Sequence, residues 1–246
     1  MKLRLDKLLV ERGLAPTRER AQAIVLAGRV LVNGQKIDKP GHSVSETASL
    51  RLLGQDLRYV SRGGLKLEAA LVHWKIDLTG RFCLDVGAST GGFTDCMLQH
   101  GAARVLAVDT GYGQIADSLR RDPRVALMER TNARNLSPGG LPPGITFLAL
   151  DVSFISATLV LPAVINALNP LNAPLEMVLL VKPQFEAGRE FVGKGGIVRD
   201  PAAHQMAIER VRMCVAATGG KDVEIIDSPI LGSEGNHEFL LHAHQT

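Results

Sequence analysis

The sequence predicts an α/β fold in which a mainly parallel, doubly wound sheet follows a small α+β domain. Beyond about residue 60, short apolar runs typical of strands alternate with helical patterns such as 156–168 and 201–217. The last two apolar runs are joined by a short loop, which predicts an antiparallel seventh strand and therefore a mixed sheet. The seven strands are expected at 82–88, 104–110, 125–130, 145–152, 177–183, 222–230 and 238–244.

The distribution of charge also separates the two parts. Residues 1–60 hold 11 Lys and Arg against 6 Asp and Glu, a net charge of +5, and the remaining residues hold 17 against 19, a net charge of −2. A concentration of positive charge at one end of a chain is expected where that segment meets a polyanion, and a merely basic, solvated surface is the alternative. We therefore expect domains at 1–58 and 65–246 with a Gly-bearing linker at 59–64.

Composition limits the class of protein. The chain has 246 residues, 46% of them hydrophobic, which suffices for one sizeable core and an accessory domain. Charged residues interrupt the first seven positions, and apolar stretches such as 157–165 fall short of the ~18 residues that span a bilayer. The three cysteines form no C-x-x-C pair. These features predict a cytoplasmic protein without stable membrane association and without a metal site.

The first domain is expected to contain two helices and a hairpin. Apolar residues from Leu5 precede Gly13, Thr17 is placed to cap a second helix, and Asn33-Gly34 between short apolar runs predicts a type I′ turn. The segment resembles the alpha-L RNA-binding motif of ribosomal and pseudouridine-synthase proteins, which implies contacts to structured RNA. The candidate RNA-binding residues are Arg4, Lys7, Arg12, Arg18, Arg20, Arg29 and Lys36.

A glycine-rich turn follows the first predicted strand of the second domain. It has neither the Gly-Lys-Ser/Thr of a phosphate-binding loop nor the G-x-G-x-x-G of dinucleotide sites. Its D-x-G-x-x-x-G-G spacing resembles the cofactor loop of S-adenosylmethionine methyltransferases. The candidate cofactor-binding residues in this turn are Asp85, Gly87, Ala88, Ser89, Gly91, Gly92 and Phe93.

Several charged residues end predicted strands. Asp109 lies about 20 residues beyond the glycine turn, where a carboxylate can accept hydrogen bonds from ribose hydroxyls. Asn132 resembles a position lining the adenine pocket, although an Asn in a loop is more often a turn residue. Asp151 and Lys182 follow two further strands, and Glu238 opens the antiparallel one. Because ligands bind at the carboxyl edge of an open parallel sheet, these side chains are expected to meet there.

The motifs at 59–67, 85–94, 151–156, 182–186 and 234–238 resemble those of the TlyA or haemolysin-A-like family of rRNA 2′-O-methyltransferases, related to FtsJ-like enzymes. The resemblance covers essentially the whole chain. It implies a Rossmann-like methyltransferase domain that uses S-adenosylmethionine. It further implies that the substrate is ribosomal RNA, methylated on the ribose 2′-hydroxyl of a cytidine, and that the enzyme has a catalytic tetrad. Carried over by position, the tetrad is Lys66, Asp151, Lys182 and Glu238, with Asp151 also facing the cationic methyl donor.

Transfer of a methyl group from a sulfonium to an alcohol requires alignment of the oxygen and loss of its proton. Lys182 is the candidate base, which burial and a second cation, Lys66, would favour; a charge-network or orienting role is the alternative.

Other functions and features stay open. A membrane-active haemolysin and a nicotinamide dehydrogenase are the competing functions. The Gly-rich segment 193–196 is expected as either a mobile loop over the RNA site or a surface connection. His242 and His244 would be metal ligands only with a third group, and a polar strand face is the simpler expectation.

Overall fold

The computed structural model describes residues 2–15, 17–53, 58–168, 174–232 and 234–245. The chain divides into two compact units, Met1–Leu57 and Arg58–Thr246, and each is described by itself.

The first unit packs two short helices on small antiparallel sheets. Thr17 accepts a hydrogen bond from the Arg20 amide, and Asn33 and Gly34 have φ values of 50° and 83°, so the predicted helix cap and hairpin turn are both present. The unpredicted additions are a pair of strands, Lys2–Arg4 with Ser43–Ser45, and a third strand, Leu50–Leu52, beside the hairpin. Its elements are β1 (Lys2–Arg4), α1 (Leu5–Glu11), α2 (Arg18–Leu26), β2 (Val30–Val32), β3 (Gln35–Ile37), β4 (Ser43–Ser45) and β5 (Leu50–Leu52).

The second unit alternates strands and helices as expected. Its elements are α3 (Gly63–His73), β6 (Phe82–Val86), α4 (Gly92–Gln99), β7 (Arg104–Val108), α5 (Asp117–Arg120), β8 (Val125–Met128), β9 (Ile145–Leu150), α6 (Leu161–Leu168), β10 (Leu175–Val181), α7 (Pro183–Glu186), α8 (Pro201–Ala217), β11 (Lys221–Asp227) and β12 (Phe239–Gln245). The helix expected at 156–168 is a 3-10 turn at Ala157–Leu159 followed by α6.

The seven strands form one sheet in the order β11-β12-β10-β9-β6-β7-β8. Strands β6 to β10 pair in parallel, whereas β12 runs antiparallel to both β10 and β11. The predicted mixed α/β sheet with an antiparallel seventh strand is therefore confirmed. One face buries α6 and α8, and the other buries α3 and α4, so apolar side chains fill a core on each side of the sheet.

The segment expected as a linker, 59–64, is packed into the second unit. Tyr59 is buried in the core beneath α3, and α3 already begins at Gly63. A Cβ added to Gly64 would lie 2.3 Å from the Tyr59 ring, so only glycine permits this close packing.

Candidate active site

The glycine turn connects β6 to α4 at the carboxyl edge of the sheet. Gly87 has a φ of 88°, and a Cβ there would lie 2.2 Å from the backbone carbonyl oxygen of Asp151, so glycine lets the turn contact the end of β9. Gly91, with a φ of 95°, provides the left-handed residue from which α4 starts. Ser89 lies exposed at the tip of the turn with a φ of 49°. The sequence motif therefore forms a shaped backbone surface next to Asp151.

Five of the seven candidate cofactor-binding residues in the turn are buried: Asp85, Ala88, Gly91, Gly92 and Phe93. Asp85 is fully buried, and its Oδ2 accepts a 2.6 Å hydrogen bond from Thr94 in α4, so this carboxyl holds the turn from beneath. Phe93 is also buried, beside the start of α3. A Cβ on Gly92 would meet the Ser61 hydroxyl at 2.2 Å, so this glycine permits α4 to pack on the segment before α3. Ala88 is buried as well but stands next to the exposed Ser89.

Burial disfavours the ionised form of the Asp85 carboxyl. Desolvation raises its pKa to about 7, although the Thr94 hydroxyl opposes the shift by donating to the carboxylate. Its Oδ1 has no hydrogen-bond partner among the described residues. The ionised Asp85 carboxyl therefore destabilises the folded protein directly beneath the glycine turn.

Asp109 follows β7 and remains partly exposed. Its two carboxylate oxygens accept backbone N–H groups from Ser89 at 2.8 Å and Gly111 at 2.6 Å. The carboxylate therefore ties the glycine turn to the next strand, and each oxygen keeps a further lone pair for a ligand hydroxyl. This position fits the expected ribose role.

Asn132 behaves as the turn residue that was the alternative to an adenine contact. Its Oδ1 accepts a 3.1 Å hydrogen bond from the Arg134 amide and caps the 3-10 turn at Ala133–Asn135. The side chain of Asn132 therefore caps the loop after β8.

The four tetrad residues form two ion pairs at the sheet edge. Lys182 Nζ lies 2.6 Å from Asp151 Oδ1 and forms an ion pair with it, although the angles are not those of a hydrogen bond. The same Nζ donates a 2.8 Å hydrogen bond to Ser153 Oγ. Lys66 Nζ lies 2.5 Å from Glu238 Oε2. Both lysines and Glu238 are buried, whereas Asp151 is partly exposed. Each buried cation therefore has its own carboxylate, which burial of charge requires.

A cavity lies over this cluster. Lys182 and Glu238 both line it, so the two ion pairs open onto the same space. Gly196 also lines it, and the Asn236 amide donates to the Gly196 carbonyl at 2.8 Å. Gly196 therefore forms part of the cavity wall, a position that neither expectation for the segment 193–196 described.

Sequence reasoning missed Phe154. This residue lines the cavity next to Ser153, is 91% exposed, and has a φ of 64°, a conformation that costs a bulky residue about 1–3 kcal/mol. Its ring leans on Phe185 with 5.7 Å between centroids. Because a strained backbone holds this aromatic ring in solvent at the wall that Lys182 also lines, Phe154 is a candidate contact for a ligand of the cavity.

The candidate RNA-binding arginines of the first unit have a structural task as well. Asp6 is fully buried, and its carboxylate accepts hydrogen bonds from Arg4, Arg18 and Gln22 at 2.9–3.0 Å. The Arg4 hydrogen bonds are the main cause that lowers the pKa of Asp6, against the opposing effect of burial. Both arginines nevertheless keep nearly half of their side-chain surface exposed. They can therefore bind Asp6 and still present charge to a polyanion.

The other basic candidates differ in their surroundings. Arg12 donates to the carbonyl oxygens of Ala48 and Glu46, and Arg29 donates to that of Leu53. Lys36 is exposed, and its aliphatic chain lies over Gly28. The two remaining candidates, Lys7 and Arg20, lie on α1 and α2 with exposed and half-exposed side chains, respectively.

Asp6→Asn is expected to destabilise the first unit at pH 7 by about 1–3 kcal/mol, because it removes charge-assisted hydrogen bonds from two arginines. Since the pKa of Asp6 is lowered on folding, its contribution is present above the ordinary Asp pKa and is lost as pH falls. Hydrogen exchange of the α1 and α2 amides measures the effect, and Asp38→Asn, at an exposed acid of the same unit, is the control. Equal protection in both variants at pH 7 would contradict it.

The glycine turn, the carboxylate after β7 and the sheet order together define an α/β methyltransferase. Residues 59–245 match the FtsJ-like methyltransferase family and residues 3–49 match the S4 domain. The chain belongs to the FtsJ-like methyltransferase family and carries an S4 domain N-terminal to the methyltransferase region in the sequence.

Relatives of known name match along the whole chain. A Bacillus subtilis (strain 168) protein named as a candidate rRNA methyltransferase, YqxC, is 50% identical over 99% of this chain and 86% of its own length. The 16S/23S rRNA (cytidine-2′-O)-methyltransferase TlyA of Mycobacterium tuberculosis (strain ATCC 25618 / H37Rv) is 44% identical over 97% of this chain and 88% of its own. A solved Streptococcus thermophilus structure, described as a candidate hemolysin, has 45% identity and a TM-score of 0.76 and covers 100% of this chain and 89% of that one.

Among the residues that the structure describes, no helix combines the length and apolar character needed to cross a membrane.

Proposed function

We propose that this protein transfers a methyl group from S-adenosylmethionine to the ribose 2′-hydroxyl of a cytidine in ribosomal RNA, in the cytoplasm. The observation that carries the proposal is the pair of buried lysine–carboxylate contacts, Lys182–Asp151 and Lys66–Glu238, at the edge where the glycine turn lies. The named relatives support the reaction class, since one acts on 16S/23S rRNA at the 2′-oxygen of cytidine.

The residues at the sheet edge fit S-adenosylmethionine. Gly87 lets the turn pack against the backbone carbonyl of Asp151, and each oxygen of the Asp109 carboxylate keeps a lone pair that would accept a ribose hydroxyl. The turn has neither the Gly-Lys-Ser/Thr of a phosphate-binding loop nor the G-x-G-x-x-G of dinucleotide sites. When bound, the cofactor supplies an electrophilic methyl group on a cationic sulfur. Asp151, whose backbone carbonyl lies against Gly87 of the turn, would attract that positive charge with its carboxylate.

Lys182 would align the ribose oxygen. Its ammonium lies against Asp151 and Ser153 at the wall of the cavity, where an incoming hydroxyl replaces part of these contacts. In its neutral form Lys182 would accept the hydroxyl proton as the methyl group is transferred, whereas in its ammonium form it would orient the oxygen. Lys66, held by Glu238, would add positive charge near the same cavity.

Phe154 would hold the base of the target nucleoside. A nucleotide whose ribose reaches a buried lysine must leave its stack, and an exposed aromatic ring compensates by stacking on the displaced base. The ring lines the cavity with Lys182 and is backed by Phe185.

Phe154→Ala is therefore expected to lower kcat/KM for RNA by about 10- to 100-fold, because stacking of one base on an aromatic ring contributes about 1–3 kcal/mol. Phe154→Tyr retains a ring and should restore most of the rate. Met213→Ala, at an exposed apolar residue of α8, is the matched control. Single-turnover methylation measures the rates, and a normal rate for Phe154→Ala would exclude the stacking role.

We propose that residues 1–58 form the RNA-binding domain and supply affinity by contacts of their basic residues to phosphates. The net charge of +5 over residues 1–60 and the match of residues 3–49 to the S4 domain support this assignment.

The test is methyl transfer from labelled S-adenosylmethionine to isolated small and large ribosomal subunits. Label is expected in RNA in an alkali-resistant dinucleotide, because a 2′-O-methyl group removes the hydroxyl that cleaves the neighbouring phosphodiester. Sequencing across the alkali-resistant position identifies the nucleotide. Cofactor binding without transfer to either subunit, or label in an alkali-sensitive nucleotide, would overturn the proposed reaction.

A further inference from the structure

A second cluster of polar side chains lies at the opposite end of β10. Glu176 stands directly across from His244 in the β10–β12 pair, and His242 follows two residues away on β12. Residues directly opposite in an antiparallel pair, and residues two apart on a strand, project from the same face of a sheet. The third group that the two histidines needed is therefore Glu176, which is distant in sequence and adjacent in space.

The three side chains present their ligand atoms to one point. One nitrogen or oxygen from each lies within 4.8 Å of the others, and His242 Nε2 is 3.0 Å from Glu176 Oε1. The two imidazole rings meet edge to face with 4.7 Å between centroids. His242 is 5% exposed, and its Nδ1 has no hydrogen-bond partner among the described residues. The nitrogen that would bind a cation together with Glu176 is Nε2, because it already faces the carboxylate.

The surroundings hold this arrangement in place. Arg81 binds Glu176 Oε2 at 2.5 Å and leaves Oε1 towards His242. Trp74 stacks on His242 with 4.9 Å between ring centroids, and its indole N–H donates to Glu224. The site is thus built from fixed side chains on paired strands.

We propose that Glu176, His242 and His244 bind a divalent transition-metal cation of the zinc type. Two imidazoles and one carboxylate are a common ligand set for Zn²⁺, whereas the all-oxygen shell that Mg²⁺ and Ca²⁺ prefer is not what this cluster offers. Arg81 occupies the second carboxylate oxygen, as outer-shell partners of metal ligands do, and Glu224, opposite His242 on β11, offsets the added positive charge.

The cation would be structural. Glu176 lies near the start of β10 and Lys182 directly after its end, so roughly 20 Å of strand separates the cluster from the tetrad. A cation there fastens β12 to β10 without touching the reacting groups. The inference therefore stands apart from the proposed methyl transfer.

The experiment is calorimetric titration of Zn²⁺ into untagged, chelator-stripped full-length protein. We expect one saturable site, and we expect His244→Ala and His242→Ala each to weaken it by more than about 100-fold, since loss of even an outer-shell partner costs roughly 10- to 100-fold. His237→Ala is the matched control, because His237 also faces a carboxylate, Asp227 at 3.5 Å, outside the cluster. Substitution with Co²⁺ should give the visible absorption of a site with imidazole ligands.

Far-UV circular dichroism and cofactor binding confirm that each variant is folded. Equal zinc affinity in wild type and His244→Ala, or no saturable binding in folded wild type, would overturn the inference and leave a histidine–carboxylate hydrogen bond as the whole role of the cluster. Methyl transfer is measured in the same samples, so a failure of the proposed reaction is distinguished from a failure of the metal site.

Discussion

Lys182→Met is expected to slow methyl transfer by about 10²–10⁴-fold, the range that a positioned general base contributes. The side chain of Lys182 is buried, contacts Asp151 at 2.6 Å and Ser153 at 2.8 Å, and lines the cavity. Methionine has a similar volume but removes the amine from this part of the cavity wall. Cofactor affinity should change little, because the glycine turn and Asp109 are untouched. Single-turnover rates at saturating RNA measure the chemical step.

Lys182→Arg separates the two roles proposed for this lysine. A guanidinium keeps the positive charge and the contact with Asp151, but it cannot release a proton in a protein. If Lys182 accepts the hydroxyl proton, Lys182→Arg should be as slow as Lys182→Met. If it only orients charge, Lys182→Arg should regain much of the rate. Lys75→Met, at an exposed lysine of the same unit, controls for loss of charge alone. A wild-type rate in Lys182→Met would remove this residue from the mechanism.

The parts of the fold that follow from local pattern were predictable. Apolar runs marked all seven strands of the second unit to within a few residues, and Asn33-Gly34 marked the hairpin turn through its need for positive φ. The carboxyl-edge argument also placed Asp109, Asp151 and Lys182 together without any knowledge of contacts. By contrast, β1 and β5 are three residues long, and such strands are defined by their partners more than by their own pattern.

What the sequence could not supply is the partner of each charge. An acidic residue in a short helix such as α1 is usually exposed. Asp6 is nevertheless buried, because Arg4, Arg18 and Gln22 all bind its carboxylate. Glu176 reads as one polar residue at the start of a strand and becomes a ligand candidate only through strand pairing.

The same limit applies to side-chain direction in the glycine turn. Motif position alone does not distinguish Asp85 and Phe93, which point into the core, from Ser89, which faces solvent. Phe154 escaped notice because a lone phenylalanine is usually interior, and only its positive φ reveals that the backbone holds it outward.

Asp85→Asn is expected to make the ligand-free protein more stable at pH 8, although the residue belongs to the cofactor motif. Burial raises the pKa of Asp85 to about 7, so at pH 8 folding must hold a desolvated carboxylate. The shift from the ordinary value of 3.8 corresponds to at most about 4 kcal/mol. An asparagine amide at the position of Oδ1, which is without a partner among the described residues, would cost about 1–3 kcal/mol, so a net gain of about 1–3 kcal/mol remains.

The dependence on pH is the decisive part of this prediction. Because the folded-state pKa is raised, the favourable contribution of protonated Asp85 is complete below about pH 4 and is lost as pH rises through about 7. The advantage of Asp85→Asn over wild type should therefore grow by about 2 kcal/mol between pH 5.5 and pH 8 and then level off. Urea unfolding at both pH values measures it, with Asp109→Asn as the control at a partly exposed carboxylate. A constant difference between Asp85→Asn and wild type at the two pH values would show that Asp85 is ionised in the folded protein throughout this range, and that the turn above it provides more stabilisation of the charge than the single Thr94 hydroxyl.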